Sequence, residues 1–224
     1  MKDSFWFPIV FMLIIVLIFT GILSVMYRLS ESKIEAYLTE TYERRILGTL
    51  AQAIADADAG SADDITAAYP ESFHKYVQSM EDKGFERKVY RAVVHDSTVA
   101  YCFEIGGKGL WGSMRALVST STDFRTIYSL AIVDQQETPG LGARIEEEWF
   151  LDQFRNRLFV VNPDSSDDVT QKYEFIAEAQ SPVNDSQLKR VTGATITSDS
   201  VIKMLQDEFN YIYKYYGTKA NEKD

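Results

Sequence analysis

The 224 residues are 46% hydrophobic and carry a formal charge of -10. That balance, with no basic stripe anywhere in the chain, excludes a nucleic-acid role, because phosphate backbones are bound through clustered Lys and Arg. Cys102 is the single cysteine, and His74 and His95 are the only histidines. An intrachain disulfide, a CxxC redox pair and a cysteine-held zinc or iron–sulfur centre are therefore excluded, so redox chemistry here requires an organic cofactor.

Phe5 to Tyr27 carries no charge, and as a helix it would extend roughly 34 Å, enough to cross a bilayer core. Phe5, Trp6 and Tyr27 place aromatic rings near its ends and Arg28 closes it, giving an anchor over residues 1–28. The apolar run exceeds a signal-peptide core and no A-x-A site follows Tyr27, so the anchor is read as uncleaved. Its flanking charges leave the sidedness open, since long domains translocate largely regardless of them.

Ser32 to Ala59 repeats apolar residues at three- and four-residue spacing, among them Ile34, Tyr37, Leu38, Ile46, Leu50 and Ile54, which predicts a helical stalk. The acidic, Gly60-containing stretch Asp56 to Asp64 reads as a loop, and Tyr76 to Met80 as part of a short helix, so residues 29–87 form a membrane-proximal helical region. Between Lys88 and Val133, VYRAVV, TVAYCFEI, RALVST and TIYSLAIV are rich in β-branched and aromatic residues and predict an antiparallel strand meander. Ile145 to Asn156 has the pattern of an amphipathic helix, and Phe159, Val160, Tyr173 and Phe175 suggest further short strands. Ser198 to Tyr216 sets Val201, Ile202, Leu205, Phe209 and Ile212 on one face, a closing helix with Ser198 or Asp199 as N-cap. The fold class expected is α+β: one transmembrane helix, then a mixed domain over residues 88–218, then a solvated tail at 219–224.

Three stretches could carry chemistry. In VTGATITSDS, Gly193 and Ala194 leave the backbone uncrowded before the last helix, where unpaired N–H groups and partial positive charge favour a phosphate. Thr192, Thr195, Thr197 and Ser198 add hydroxyls there, although such residues also gather at helix starts as plain caps. ETPGLG, Glu137 to Gly142, sets Pro139 and Gly140 at the central positions of a type II turn, which serves equally as a tight connection. GGKGLWGSM, Gly106 to Met114, has neither dinucleotide nor P-loop spacing; its glycines suit close approach to a flat ligand, while Trp111 fits a core position as well.

In this order, an N-terminal anchor, GKGLWGSM, ETPGLG and TGATITS resemble the FMN-binding domain family. Its members include the C subunit of the sodium-translocating NADH:quinone oxidoreductase and the related G subunit of Rnf complexes, and GKGLW is more similar to the former. The resemblance implies FMN attached by a flavin transferase through a phosphoester on Thr195, with Thr192, Gly193, Ala194 and Thr197 around the attachment. It further implies that Leu110, Trp111, Glu137, Thr138, Gly140, Leu141 and Gly142 line the flavin ring. The chain departs from the family at Lys189, three residues before Thr192, where Asp is usual, and at Gln135, where His is common; Asp185 lies close by.

The function implied is an electron-carrying subunit of a membrane redox complex, incomplete as an enzyme by itself and serving NADH:quinone oxidoreduction with ion transport, or the Rnf reaction between ferredoxin and NAD. Partners would be the other subunits, the transferase and membrane lipid. The location implied is the bacterial inner membrane, with the soluble domain on the periplasmic side. The reading from another class is a membrane-anchored binding module whose TGAT loop is only a helix cap.

Overall fold

The computed structural model describes residues 6–82, 84–165 and 167–217. Phe5 of the anchor and the expected tail at 219–224 lie outside the described residues. The chain divides into two compact units, Met1–Tyr42 and Glu43–Asp224.

Helix α1, Trp6–Asp58, is 53 residues long and merges the expected anchor and stalk. No proline follows Pro8 within it, so no missing N–H or ring clash interrupts the helix before its end at Asp58. Its apolar N-terminal stretch is long enough to cross a membrane and turns its side chains outward: Leu17 and Leu23 are each 64% exposed. The expected loop at Asp56 to Asp64 shrinks to three residues. Ala59 takes a left-handed φ of 52° and Gly60 N–H returns to the Ala55 carbonyl, while the Ser61 hydroxyl caps α2, Ala62–Ala67, by accepting the Asp63 N–H.

After α3, Glu71–Tyr76, the chain enters a six-stranded antiparallel meander ordered β1 to β6. The strands are β1 Val77–Met80, β2 Val89–Val94, β3 Ser97–Lys108, β4 Ser113–Thr120, β5 Thr126–Asp134 and β6 Arg157–Leu158. The four strands expected from composition are β2 to β5. Val77 to Met80 was expected as helix and is a strand, because it covers the free edge of β2 with Val77 opposite Ala92 and Met80 opposite Val89.

The meander is packed on both faces. Small side chains lie toward the last turns of α1: the Cys102 thiol meets the Thr49 hydroxyl at 3.5 Å, and the Ser119 hydroxyl donates to the Thr49 carbonyl at 2.6 Å. Arg45 donates to the carbonyls of Ile132 and Val133 at 2.5 and 3.0 Å. Phe103 and Ile105 join the main hydrophobic cluster with Val201, Leu205 and Phe209 of helix α5, Thr195–Ile212. Burial of both faces explains why these strands read as apolar runs rather than strict alternation.

The helix expected over Ile145 to Asn156 is broken into a 3-10 turn Gly142–Glu146, the single turn α4 Glu148–Leu151 and a second 3-10 turn Asp152–Phe154. Ile145 and Phe150 are both fully buried, yet on one regular helix they would point about 140° apart. Glu147, extended at ψ 141°, breaks the path so that both reach the core. A two-stranded parallel pair, β7 Glu174–Ile176 and β8 Gln187–Lys189, leads toward α5. That helix starts earlier than expected, at Thr195 rather than after an N-cap at Ser198 or Asp199, and continues into a π-helical turn Tyr213–Gly217.

Candidate functional site

The β3–β4 hairpin ends at a tight tip, where Gly109 N–H donates to the Gly112 carbonyl at 2.7 Å. Its two central residues are left outside, with Leu110 at 45% and Trp111 at 70% exposure, so Trp111 is not a core tryptophan. After β5, Thr138 to Leu141 forms the expected turn: Leu141 N–H donates to the Thr138 carbonyl at 3.1 Å and Gly140 takes a φ of 73°. Pro139 supplies the fixed φ of the preceding position. Leu141 is turned outward as well.

The third stretch begins α5. Ala194 N–H donates to the Val191 carbonyl, and the Ser198 hydroxyl accepts the buried Val191 N–H at 3.1 Å. Ser198 therefore closes the loop from within the first turn instead of capping the helix, and Asp199 is exposed one residue beyond it. Ala194 occupies the N-cap position, and no side chain caps the helix. The N–H groups of Thr195, Ile196 and Thr197 have no acceptor within the helix, and no acidic residue occupies its first turn. Thr195 is exposed at the first helical position, followed by Ile196 at 56% exposure.

The three stretches meet. Glu137, only 5% exposed, accepts the Trp111 N–H on Oε1 at 3.0 Å and the Thr197 hydroxyl on Oε2 at 2.5 Å. Gly193, at a φ of 78°, sits so close to Leu141 that an added Cβ would come within 2.9 Å of Leu141 Cδ2. The chain thus brings together three segments that carry four outward apolar side chains, Leu110, Trp111, Leu141 and Ile196, and the exposed Thr195 at a helix N-terminus. Scattered apolar side chains on a surface are ordinary; a group gathered from three segments marks an interaction site.

Sequence reasoning missed the support behind the loop that precedes α5. Thr192 N–H donates to Glu178 Oε2 at 2.9 Å, and Arg144 pairs with the same carboxylate at 2.8 Å and with Glu147 at 3.0 Å. The Arg144 guanidinium, together with the Thr192 N–H, lowers the Glu178 carboxyl to about 2, and the two carboxylates raise the Arg144 guanidinium in turn. No spacing in the sequence links Arg144 to Glu178 or Glu178 to Thr192. Ile196 carried a legible signal, an apolar residue at a helix start. The two departures lie further along the loop and the strand. Lys189 ends β8, its backbone N–H and carbonyl both paired with the Gln153 side chain, and Gln135 Oε1 accepts the Glu137 N–H at 2.6 Å. The Asp185 carbonyl accepts from Arg157.

The arrangement fits a flavin mononucleotide. Unpaired N–H groups at the start of α5 suit its phosphate, and the outward apolar side chains suit a flat ring system. Among the described residues, no group of His, Cys, Asp and Glu is placed to hold a metal ion.

Comparison with known proteins gives a consistent picture. Residues 109–209 match the FMN-binding domain family. The chain is 37% identical over 109 residues to the C subunit of the Na(+)-translocating NADH-quinone reductase of Yersinia pestis, covering 48% of this chain and 37% of that protein. It is 28% identical over 130 residues to the G subunit of a proton-translocating ferredoxin:NAD(+) oxidoreductase complex of Clostridium ljungdahlii, covering 58% and 62%. The matched stretch thus spans between about a third and two thirds of the length of these relatives. The crystal structure of Shewanella oneidensis NqrC shares the fold, with a TM-score of 0.53 at 14% identity, covering 77% of this chain and 96% of that one.

Proposed function

We propose that this chain, whose residues 109–209 match the FMN-binding domain family, carries FMN covalently through a phosphoester on Thr195 and passes electrons within a membrane redox complex. The observation that carries the reading is exposed Thr195 at the uncapped start of α5, a helix start tied through Glu137 to the two other family stretches, whose apolar side chains face outward. In the domain plan, residues 1–28 anchor the chain, 29–87 form the membrane-proximal region and lend β1 to the sheet, and the domain that begins at residue 88 holds the flavin. The soluble part lies on the periplasmic side of a bacterial inner membrane.

Bound FMN would supply one- and two-electron chemistry at a potential set by its surroundings. Thr195 is a tether and takes no part in turnover. A transferase using FAD would bond the Thr195 oxygen to the phosphorus of the FMN half; the pyrophosphate bond breaks, AMP leaves and the hydroxyl proton passes to the transferase or solvent. The chain need offer only an accessible oxygen and N–H groups that steady the phosphate. Leu110, Trp111, Leu141 and Ile196 would cover the ring against water, with Thr138, Gly140 and Gly142 shaping the turn beside it.

The likeness to the C subunit of the Na(+)-translocating reductase supports a place in an NADH:quinone reductase complex, with the sister subunits, the transferase and membrane lipid as partners. The likeness to a G subunit supports a second reading, the corresponding position in a complex that serves ferredoxin and NAD. Full-length protein made with a flavin transferase should fluoresce under ultraviolet light after denaturing electrophoresis, and the peptide containing Thr195 should carry the mass of FMN. Thr195→Ala should abolish both signals. A fluorescent Thr195→Ala band would overturn the attachment site, and a dark wild-type band would leave a membrane-anchored binding module as the answer. Protease added to spheroplasts should digest the soluble part, whereas digestion only after lysis would overturn the periplasmic placement.

A further inference from the structure

Glu137 is buried with both carboxylate oxygens taken by donors from other elements: Trp111 N–H at the hairpin tip and the Thr197 hydroxyl in the first turn of α5. Its own N–H is fixed by Gln135 Oε1 at 2.6 Å. Glycines make room for it. A Cβ on Gly109 would stand 2.4 Å from Glu137 Oε1, and one on Gly142 would stand 2.8 Å from Glu137 Cβ and 3.0 Å from Thr197 Oγ1. Burying a carboxylate is costly unless its hydrogen bonds are made, and here they are made to the two segments that flank the attachment residue.

We infer that Glu137 is a positioning residue: buried instead of lining the exposed surface, it locks the Leu110–Trp111 tip to the start of α5 and so fixes where Thr195 stands relative to the apolar side chains. The inference rests on the reading of Thr195 as the FMN attachment point. A carboxylate suits the place because it accepts from both partners in charge-assisted bonds. Glutamine has the same shape and can hold both contacts only as neutral bonds, its oxygen accepting the Trp111 N–H and its NH2 donating to a turned Thr197 hydroxyl. Aspartate is one methylene too short to keep both contacts.

The test uses the full-length chain in detergent as Glu137→Gln, Thr197→Val, the double variant and Thr197→Ser. Two quantities are measured: hydrogen exchange of the 109–114 segment in the apoprotein, and the rate of covalent flavin incorporation from FAD by a purified transferase. Replacing charge-assisted bonds by neutral ones in Glu137→Gln, or removing one in Thr197→Val, should slow incorporation roughly ten- to a hundredfold. The double variant should be no slower than Glu137→Gln alone, and Thr197→Ser should recover most of the rate lost in Thr197→Val. Exchange at 109–114 should rise in Glu137→Gln. Additive effects of the two substitutions, or unchanged exchange at 109–114, would overturn the pin. If wild-type protein takes up no flavin, the functional reading fails while the exchange measurement still decides whether Glu137 holds the tip.

Discussion

Thr192 and Thr195 sit on the same short loop but are held by different physics. Thr195 is exposed, whereas Thr192 is held through its N–H by Glu178, which Arg144 keeps charged. Glu178 titrates at about 2 in the folded chain, below its ordinary 4.5. A depressed carboxyl contributes stability that is complete above its ordinary value and is lost as pH falls through its folded value. The clamp on the attachment loop should therefore weaken between about pH 4.5 and 2. Glu178→Gln should flatten the acid limb of the stability–pH curve measured by urea unfolding, leaving its shape above pH 5 unaltered; an unchanged acid limb would show that the pair contributes nothing. Thr195 and its motif neighbours were legible as residue types in order. Arg144 and Glu178 were not, because an ion pair between distant segments leaves no periodic trace.

Among the elements, α5 shows how a loop and a helix start determine one another. The sequence placed the N-cap at Ser198 or Asp199, guided by the preference of hydroxyl and carboxyl residues for that position. Instead the Ser198 hydroxyl reaches back to the Val191 N–H, which tightens the loop and draws the helix start to Thr195. Ser198→Ala would leave a buried N–H without its acceptor and should cost about 1–3 kcal/mol in urea unfolding. It should also slow flavin incorporation, since the helix start would fray; full stability in this variant would show that the loop closes by other means. The segment Ile145 to Asn156 teaches the same lesson. Its amphipathic spacing predicted one continuous helix, but burying Ile145 and Phe150 together required the break at Glu147 and left only short turns. Val77 to Met80 became a strand because β2 had an edge to cover, which is a property of the sheet and not of those residues.

At the scale of the molecule, the globular unit is a twice-covered meander, with its buried phenylalanine cluster on the α5 side. Phe209 is fully buried among Phe159, Phe103 and their neighbours, so Phe209→Ala should cost about 3–5 kcal/mol, read from the urea midpoint, and lower flavin content only in proportion to the unfolded fraction. A larger loss of flavin than of folded protein would mean that the core helix shapes the site beyond holding it. The sequence by itself determined the apolar helix, the four central strands, the Pro-Gly turn, the closing helix and the order of the three stretches with Thr195 among them. Each of these depends on local periodicity, turn chemistry or residue type, and such signals survive in one dimension. Only the tertiary structure decided that the hairpin tip, the turn and the helix start converge on Glu137, that Trp111 faces outward and that Ser198 closes the loop. Those outcomes depend on how a six-stranded sheet brings segments far apart in the chain within hydrogen-bonding distance, and contacts across such separations follow from the packing of the whole rather than from the preferences of any stretch.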